Sequence, residues 1–217
     1  MAKTLIPTTA FDLETLPTRD IYKLLTSLVV PRPIAWVTTQ SAEGVLNAAP
    51  FSFFNVISSD PVMLAIGIGT RPEGGPKDTL RNILETKEFV VQIPTEALVQ
   101  EMNITSVEAP LGTNELELAG LETVASSKVG PPRIAASPAA FECRLFQAID
   151  TGKGHYVILA NILEAHIHTA AFLDLDRLYV DTANLGLIGR MHGGGWYART
   201  TDLFDLPRPK WPIKRDE

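Results

Sequence analysis

Lys77, Asp78 and Thr79 stand directly after a Gly-Gly-Pro loop, at the start of a segment whose apolar residues recur with helical spacing. A helix start leaves backbone N–H groups without intrahelical partners and carries partial positive charge, so it can bind a phosphate group. Lys77 adds a full positive charge, and the hydroxyl of Thr79 adds a donor. Alternatively, Asp78 or Thr79 caps the helix, and an Asp cap competes with phosphate for the same donors. The segment does not have the spacing of a Walker A phosphate-binding loop. Taken by itself, it favours the interpretation as a helix cap, because most helices have a cap.

A second segment, Asn47-Ala48-Ala49-Pro50, combines small side chains with a proline inside a stretch that otherwise predicts a strand. Proline cannot donate to a strand ladder, so we expect a break in pairing here. A planar aromatic ligand needs the backbone to come close to it, and small side chains and a break in strand pairing both allow this. Ser52 can donate to a ring carbonyl or nitrogen, while Phe51, Phe53 and Phe54 supply apolar walls. The alternative is a β-bulge at a barrel corner, with a phenylalanine-rich core behind it.

The elements that must position these segments form a pattern of short strands joined mainly by hairpins. Helices are predicted after Thr18, which offers an N-cap, after Lys77, and after Thr95. Residues 105–135 show weak periodicity, and we expect a long excursion over the surface. Because βαβ alternation is incomplete, the pattern predicts a mainly β fold with inserted helices, an antiparallel β-barrel rather than a doubly wound sheet. Strands are predicted at 34–39, from 45 onward, and at 62–68, 89–93, 139–149, 155–168 and 178–180.

A chain of 217 residues is long enough for one domain with a sizeable core and short for two. We expect an N-terminal arm at 1–17, a barrel domain at 18–185, and a Gly- and Pro-rich tail at 186–217 that packs on the barrel or on a partner subunit. No apolar stretch resembles a secretory signal or approaches the ~20 residues of a membrane span. The cytoplasm is therefore the expected location.

Charge argues against nucleic acid as a partner. The net charge is −6, and no run of Lys and Arg supplies the electrostatic footprint that nucleic acid requires. A small anionic ligand would depend on a few local cations or backbone N–H groups. The single cysteine, Cys143, excludes an intramolecular disulfide and a cysteine-based metal cluster. We expect its thiol to be packed and inert.

Two further segments contain residue types capable of chemistry. Within Glu164-Ala165-His166-Ile167-His168 the polar residues alternate and share one strand face, but no further ligands cluster nearby. We therefore expect a polar outer face and no metal site. Gly193-Gly194-Gly195 lacks the dinucleotide-binding fingerprint. It opens either a mobile tail or, as we favour, a segment that folds over the ligand, with Tyr197 or Arg199 touching the ligand or the partner subunit.

Three motifs together make the chain recognisable: Pro31-Arg32-Pro33-Ile34-Ala35-Trp36-Val37-Thr38-Thr39, Asn47-Ala48-Ala49-Pro50-Phe51-Ser52-Phe53-Phe54, and Lys77-Asp78-Thr79-Leu80-Arg81-Asn82-Ile83. In this order and spacing, the chain from about residue 18 to residue 168 resembles the flavin reductase-like family. More narrowly, it resembles the branch that includes flavoredoxins and the reductase components of two-component monooxygenases. The resemblance implies an FMN-binding split β-barrel, and a homodimer with the flavin near the subunit interface.

The resemblance also implies which residues bind the flavin. Thr79 and Lys77, and after them Asp78, are expected to meet the phosphate. His155 resembles a histidine that in some relatives faces the flavin or the nicotinamide; the alternative is a solvent-exposed histidine at a strand end. Some relatives have a lysine near the flavin in the segment Gly112-Thr113-Asn114-Glu115-Leu116, where this chain has none, which leaves the charge around the ring open. The ring and ribityl chain are expected to lie along Asn47, Ala48, Ala49, Pro50, Phe51, Ser52 and Phe53.

The function implied is an FMN-dependent oxidoreductase that passes hydride from NAD(P)H to flavin N5 and leaves reduced flavin for a second acceptor, such as a monooxygenase. The cofactor performs the chemistry, so no catalytic triad is expected. His155 is the candidate catalytic residue, shaping the nicotinamide pocket or shuttling a proton. Two alternatives stay open: a flavoredoxin-like FMN electron carrier that uses NAD(P)H poorly, and a barrel that has kept the fold and lost the flavin.

Overall fold

The structure, a computed structural model, describes residues 6–211. Residues 1–5 of the predicted arm and 212–217 of the predicted tail lie outside the described residues. None of the described helices is long and apolar enough to cross a membrane. The helices are α1 Thr18–Leu28, α2 Asp78–Thr86, α3 Val99–Ile104 and α4 Glu115–Leu118, with 3-10 turns at Glu96–Leu98 and Thr169–Ala171. The strands are β1 Ala35–Gln40, β2 Leu46–Phe51, β3 Phe54–Ser59, β4 Val62–Ile68, β5 Glu88–Gln92, β6 Thr123–Val124, β7 Arg133–Ile134, β8 Ala139–Gly152, β9 His155–Ile167, β10 Phe172–Asp174, β11 Tyr179–Val180, β12 Ile188–Arg190 and β13 Tyr197–Arg199.

Seven of the strands form one antiparallel sheet in the order β2-β1-β5-β8-β9-β4-β3. The two edge strands, β2 and β3, follow one another in sequence with only Ser52 and Phe53 between them. Three residue steps span at most about 11 Å, so the edges of the sheet lie close together where β2 ends and β3 begins. The sheet therefore curls into a barrel that stays open between β2 and β3. This confirms the predicted fold, a mainly β split antiparallel barrel with inserted helices.

Pro50 does not break the strand ladder, so that expectation was wrong. β1 and β2 pair without interruption, and Pro50 lies opposite Trp36. The N–H of Ala48 points away from β1, since it donates to the side chain of Glu115. Alternate residues of a strand share one direction, so an N–H at position 50 would also point away from the sheet. Proline therefore occupies an edge position where no sheet hydrogen bond is lost.

The core consists mainly of two hydrophobic clusters. The larger joins strand residues, including the fully buried Cys143, with Leu80 and Ile83 of α2. Burial raises the pKa of the Cys143 thiol, as expected for an inert group. The smaller cluster includes Leu116 and Ile134. The expectation of a surface excursion at 105–135 was therefore wrong at single residues that are buried against the barrel without any periodicity, among them Thr105, Glu115, Leu116, Val129 and Ile134.

The helix predicted after Thr18 is present as α1, but Pro17 rather than Thr18 occupies the N-cap, and no side chain caps the helix. The predicted apolar face is only partly covered within the chain. Ile21 and Leu24 are half-buried, whereas Leu28 is 76% exposed. The spacing correctly predicted a helix, but the single chain does not bury the whole of its apolar face.

Candidate functional site

The first turn of α2 has no side-chain cap. Lys77 occupies the N-cap position and makes no capping hydrogen bond. The carboxylate of Asp78 pairs with Arg81, and the hydroxyl of Thr79 accepts from Asn47 instead. The alternative in which Asp78 or Thr79 caps the helix is therefore wrong. The backbone donors of this turn stay available to an anion.

Two arginines lie close to the carboxylate of Asp78. It forms an ion pair with Arg81 one turn along α2, and Arg71 Nη1 lies 3.9 Å from its Oδ2. Arg71 also forms an ion pair with Glu73, and its Nη2 donates to the carbonyl oxygen of Ala109 over 3.0 Å, so three groups hold its side chain. The sequence analysis missed Arg71, because a lone arginine in a Pro- and Gly-rich loop carries no spacing signal. Because arginines already lie against the carboxylate of Asp78, it competes less than the sequence suggested for the N–H groups that would donate to a phosphate.

A buried network joins α2 to the barrel through Asn47. Asn47 Nδ2 donates to Thr79 Oγ1 over 2.9 Å and lies 3.3 Å from Thr39 Oγ1. Thr39 Oγ1 also accepts from Asn82 Nδ2 over 3.0 Å. All four side chains are buried. Thr79 is thus positioned by β2, and the two predicted segments, the phosphate turn and the small-residue strand, meet directly.

These residues line one cleft. Ala48 lies behind its wall, with its side chain fully buried and its N–H bonded to Glu115. Lys77 Nζ stands 5.9 Å from the centroid of the Phe51 ring. Arg71 and Glu115, which the sequence analysis did not assign, also face the cleft. The predicted cofactor-binding residues that the cleft brings together are Asn47, Ala49, Pro50, Phe51, Lys77, Asp78 and Thr79.

Glu115 contributes a buried carboxyl to this cleft. It opens the four-residue helix α4, and its Oε2 accepts from the N–H of Ala48 over 3.0 Å. Burial raises the pKa of the Glu115 carboxyl, and the negative charge of Asp78 raises it further, while the hydrogen bond from Ala48 acts in the opposite sense. No sequence pattern marks Glu115, because it reaches the site from a loop region without periodicity.

A second cavity of about 480 Å³ adjoins the cleft and shares Pro50, Phe51 and Lys77 with it. Its volume lies within the usual range of ligand pockets. The remaining predicted site residues of the barrel line this cavity: Ser52, Phe53 and His155. The site thus has a polar end at α2 and a wider end between β2, β4 and β9.

Ser52 is positioned by a buried arginine. Arg32 Nε donates to Ser52 Oγ over 3.3 Å, and Arg32 is 5% exposed. Its Nη atoms donate to the carbonyl oxygens of Thr26, Val29 and Met191. Arg32 therefore ties the end of α1 and the C-terminal segment to the link between β2 and β3. The sequence motif contained Arg32, but this role was not predicted.

His155 lines the second cavity and is exposed to solvent at the start of β9. A Cβ at Gly69 would lie 3.3 Å from the His155 ring, so the glycine permits close packing there. Gly67 permits close packing against Phe53, another residue of this cavity, since a Cβ at Gly67 would lie 3.0 Å from the Cβ of Phe53. The N–H of Gly67 donates to the carbonyl oxygen of Phe53 over 2.7 Å. His155 is thus exposed at a strand end and also lines the cavity, and both its contact with the flavin or the nicotinamide and its catalytic role stay predictions.

Tyr197 lies apart from these two cavities. It belongs to the β12–β13 hairpin, where Arg190 packs 4.7 Å from its ring centroid, and it contacts the smaller hydrophobic cluster. Arg199 pairs with Glu96. Within residues 6–211, then, the hairpin does not fold over the cleft of its own chain. Contact of Tyr197 with flavin or with a second copy of the chain stays a prediction.

The acidic and histidine residues of β9 meet a carboxylate of β8. His166 Nε2 lies 2.6 Å from Glu142 Oε1 and 3.5 Å from Glu164 Oε1. Glu142 is fully buried and accepts from the N–H groups of Ser127 and Lys128. Burial raises the pKa of Glu142, but these hydrogen bonds outweigh burial and the pKa lies below its ordinary value. The cluster ties the 127–128 segment to the sheet.

One protein-family model and several known proteins are similar to this chain. Residues 27–183 match the flavin reductase like domain. A protein of Deinococcus radiodurans is 42% identical over 204 residues, which cover 92% of this chain and 89% of that protein. Nitrilotriacetate monooxygenase component B from Bacillus cereus has a TM-score of 0.87 at 30% identity, covering 93% of this chain and 100% of its own. The 2-nitrobenzoate 2-nitroreductase NbaA of Pseudomonas fluorescens has a TM-score of 0.86 at 32% identity, covering 96% and 100%.

The matched domain contains every element of the cleft described above, from β1 and β2 through α2 to α4 and β9. On this match and on the shared fold, the chain belongs to the flavin reductase-like family.

Proposed function

We propose that the protein binds FMN non-covalently and acts as an NAD(P)H-dependent flavin reductase, passing hydride from NAD(P)H to flavin N5. The observation that carries the proposal is the uncapped first turn of α2, with Lys77 and Thr79, in a cleft that adjoins a wider cavity walled by phenylalanines. An anion site beside a cavity of that size suits a phosphorylated aromatic cofactor.

The residues at the polar end fit the phosphate of FMN. Lys77 and Arg71 both face the cleft. The carboxylate of Asp78 is already paired with Arg81 and lies near Arg71. Because Asn47 donates to the oxygen of Thr79, the hydroxyl hydrogen of Thr79 remains free to donate to phosphate. We therefore assign the phosphate to Lys77, Arg71 and Thr79, with Asp78 paired to Arg81 and Arg71 held by Glu73 beside Asp78.

The wider end fits the isoalloxazine ring. The edge strand offers the small side chains of Ala49 and Pro50 to a flat ligand, and Phe51 and Phe53 supply apolar surface. Bound FMN supplies the ability to accept hydride, so the protein needs to bind, orient and shield it. His155 lines the same cavity, where it would contact the nicotinamide or carry a proton.

Further proposals concern the electron acceptor, the oligomeric state, the cellular location and the domain bounds. The similar B. cereus protein is by name a component of a monooxygenase, so we propose an oxygenase as acceptor of the reduced flavin. The similar NbaA is by name a nitroreductase, which makes a small aromatic acceptor the second candidate. We also propose a homodimer in the cytoplasm, with the domain bounds 18–185 and the tail 186–217 as the sequence predicted.

The test is anaerobic reduction. The purified protein is saturated with FMN, mixed with NADH and separately with NADPH, and followed by the visible absorption of the flavin. We expect the absorption to be lost with at least one donor. Binding of FMN without reduction by either donor would overturn the reductase and favour the electron carrier, and absence of FMN uptake would favour a barrel that has lost the flavin.

A matched pair of variants ties the result to this cleft. Lys77→Met removes the cation at the start of α2, whereas Lys87→Met removes an exposed cation just beyond its other end. We expect Lys77→Met to weaken FMN binding about tenfold, as for a hydrogen bond to a charged group, and Lys87→Met to leave it unchanged. Equal affinities for the two variants would place the phosphate elsewhere.

A further inference from the structure

We propose that Glu115 takes up a proton when the phosphate of FMN enters the cleft, so that this carboxyl makes the affinity for FMN fall as pH rises. The inference rests on the proposed function, because it concerns the same cleft and the same ligand. Neither the resemblance nor the comparisons assign a role to Glu115.

The geometry places an uncompensated carboxyl beside the phosphate groups. Glu115 lines the cleft with Lys77, Arg71 and Thr79, and it is 6% exposed. Within residues 6–211 no cationic nitrogen lies within 4.0 Å of its carboxylate. Arg81 pairs with Asp78 instead, and Arg71 pairs with Glu73 and lies near Asp78. Its one strong hydrogen bond comes from the N–H of Ala48.

That hydrogen bond keeps the carboxyl in the cleft in either protonation state. The N–H of Ala48 is an outward donor of the edge strand, and Oε2 of Glu115 accepts from it over 3.0 Å. A protonated carboxyl still accepts through its carbonyl oxygen, so a proton on the other oxygen does not break this bond. Glu115 can therefore change its charge without leaving its position.

The charges around Glu115 decide the direction of the effect. From α2 it faces Asp78, whose negative charge already raises its pKa. Lys77, Arg71 and Glu108 line the same cleft, and β2, which packs against α4, carries no charged side chain. A phosphate adds up to two negative charges and displaces water, and both effects favour the neutral form of a nearby carboxyl. The pKa of Glu115 is therefore higher in the complex than in the empty cleft.

Linkage converts this difference into a pH dependence of binding. When a group has a higher pKa in the complex, binding takes up a proton between the two pKa values. Over that interval the Kd rises with pH, by at most about tenfold per pH unit for one proton. The phosphate of FMN, with a second pKa of about 6, acts in the opposite sense, because the more charged ligand binds a cationic site better. Near pH 6 a comparison of variants separates the two contributions, and at alkaline pH the phosphate is already fully ionised, so that proton uptake there reports on Glu115.

The test measures the Kd of FMN by quenching of flavin fluorescence from about pH 5.5 to about pH 8.5, a range that covers raised carboxyl pKa values. Glu115→Gln keeps an oxygen for the N–H of Ala48 and removes the charge. Glu117→Gln on the same helix is the matched control, because Glu117 is exposed and does not line the cleft. Riboflavin, which lacks the phosphate, is the matched ligand.

We expect Glu115→Gln to bind FMN as tightly as the unaltered protein at acid pH and several-fold more tightly at alkaline pH. Glu117→Gln and the unaltered protein should give the same profile, and riboflavin should show little difference between variants. A second measurement needs no variant: calorimetric titration of the unaltered protein with FMN in buffers of different ionisation enthalpy should show proton uptake at alkaline pH.

Parallel pH profiles for Glu115→Gln and the unaltered protein would overturn the inference, as would weaker binding by Glu115→Gln at every pH, which would make Glu115 a support for β2 alone. Absence of proton uptake in the calorimetric titration would overturn it even if Glu115→Gln does not fold. Failure of the unaltered protein to bind FMN at any pH is a different result, because it overturns the proposed function itself.

Discussion

Two hydroxyl groups in the site, those of Ser52 and Thr79, are each held as acceptors by a neighbouring side chain. Arg32 donates to Ser52 over 3.3 Å, and Asn47 donates to Thr79 over 2.9 Å. A hydroxyl has one hydrogen and two lone pairs, so a bond accepted at the oxygen leaves the hydrogen free and restricts its direction. Both hydroxyls are therefore free to donate to the proposed FMN, one at each end of the site.

Replacing Thr79 tests this orientation. Thr79→Val keeps the shape of the side chain and removes the donor, and we expect it to weaken FMN binding about tenfold, since a hydrogen bond to a charged acceptor contributes about 1.5 kcal/mol or more. Thr79→Ser should restore most of the affinity, and riboflavin should bind both variants alike. The measurement is fluorescence quenching of each flavin; unchanged FMN affinity in Thr79→Val would show that Thr79 does not donate to the phosphate.

At the scale of elements, the sequence predicted those strands that are marked by local signals. The run 62–68 follows an Asp-Pro turn and forms β4 as predicted. The two long strands β8 and β9 are also joined by a turn as predicted, but β8 extends to Gly152, so the turn is Lys153-Gly154 rather than 151–154. Local signals do not specify which strand lies at an edge. Pro50 was therefore expected to interrupt a ladder, whereas the order of strands places it where its missing N–H costs nothing.

The same distinction applies to the site. The start of α2 and the small-residue strand were visible in sequence, since each depends on residue types within a few positions. Arg71 and Glu115 were not assigned, because they reach the cleft from loops and a single-turn helix, where no periodicity marks the inward direction. Their roles depend on Asp78 and Ala48, partners 7 and 67 residues away in sequence. Such contacts follow from the fold and not from any motif.

Asn47 is the link between elements, and its removal should affect stability as well as binding. Its amide joins β2 to Thr79 on α2 and to Thr39 on β1, and all three residues are buried. We expect Asn47→Ala to lower the free energy of unfolding by about 1–3 kcal/mol, because two buried hydroxyls lose a partner. Asn103→Ala, at an exposed position on α3, is the control. Urea unfolding of the FMN-free proteins measures the difference, and equal stability of the two variants would contradict a structural role for the network.

For the whole molecule, the unusual feature is the edge strand β3. Its residues Asn55, Val56 and Ile57 are all exposed, so neither face of the strand is covered in the middle of its length. Monomeric proteins protect edge strands with charges, prolines or covering elements, and an apolar edge instead marks an association surface. Tyr22 of α1 approaches Phe53 at the start of this edge, with ring centroids 6.2 Å apart. α1 and β3 thus present apolar surface next to the proposed flavin cavity.

The proposed homodimer can be tested by introducing charged side chains on this surface. Val56 and Ile57 are 48% and 51% exposed. We expect the double variant Val56→Lys, Ile57→Lys to sediment as a monomer where the unaltered protein sediments as a dimer, because buried like charges oppose association. Leu173→Lys, at a 72% exposed position on β10, is the control and should remain dimeric. If the flavin lies near the interface, as the resemblance implies, the double variant should also bind FMN more weakly than Leu173→Lys does. A dimeric double variant would place the interface elsewhere, and an unaltered protein that sediments as a monomer at every concentration would refute the dimer.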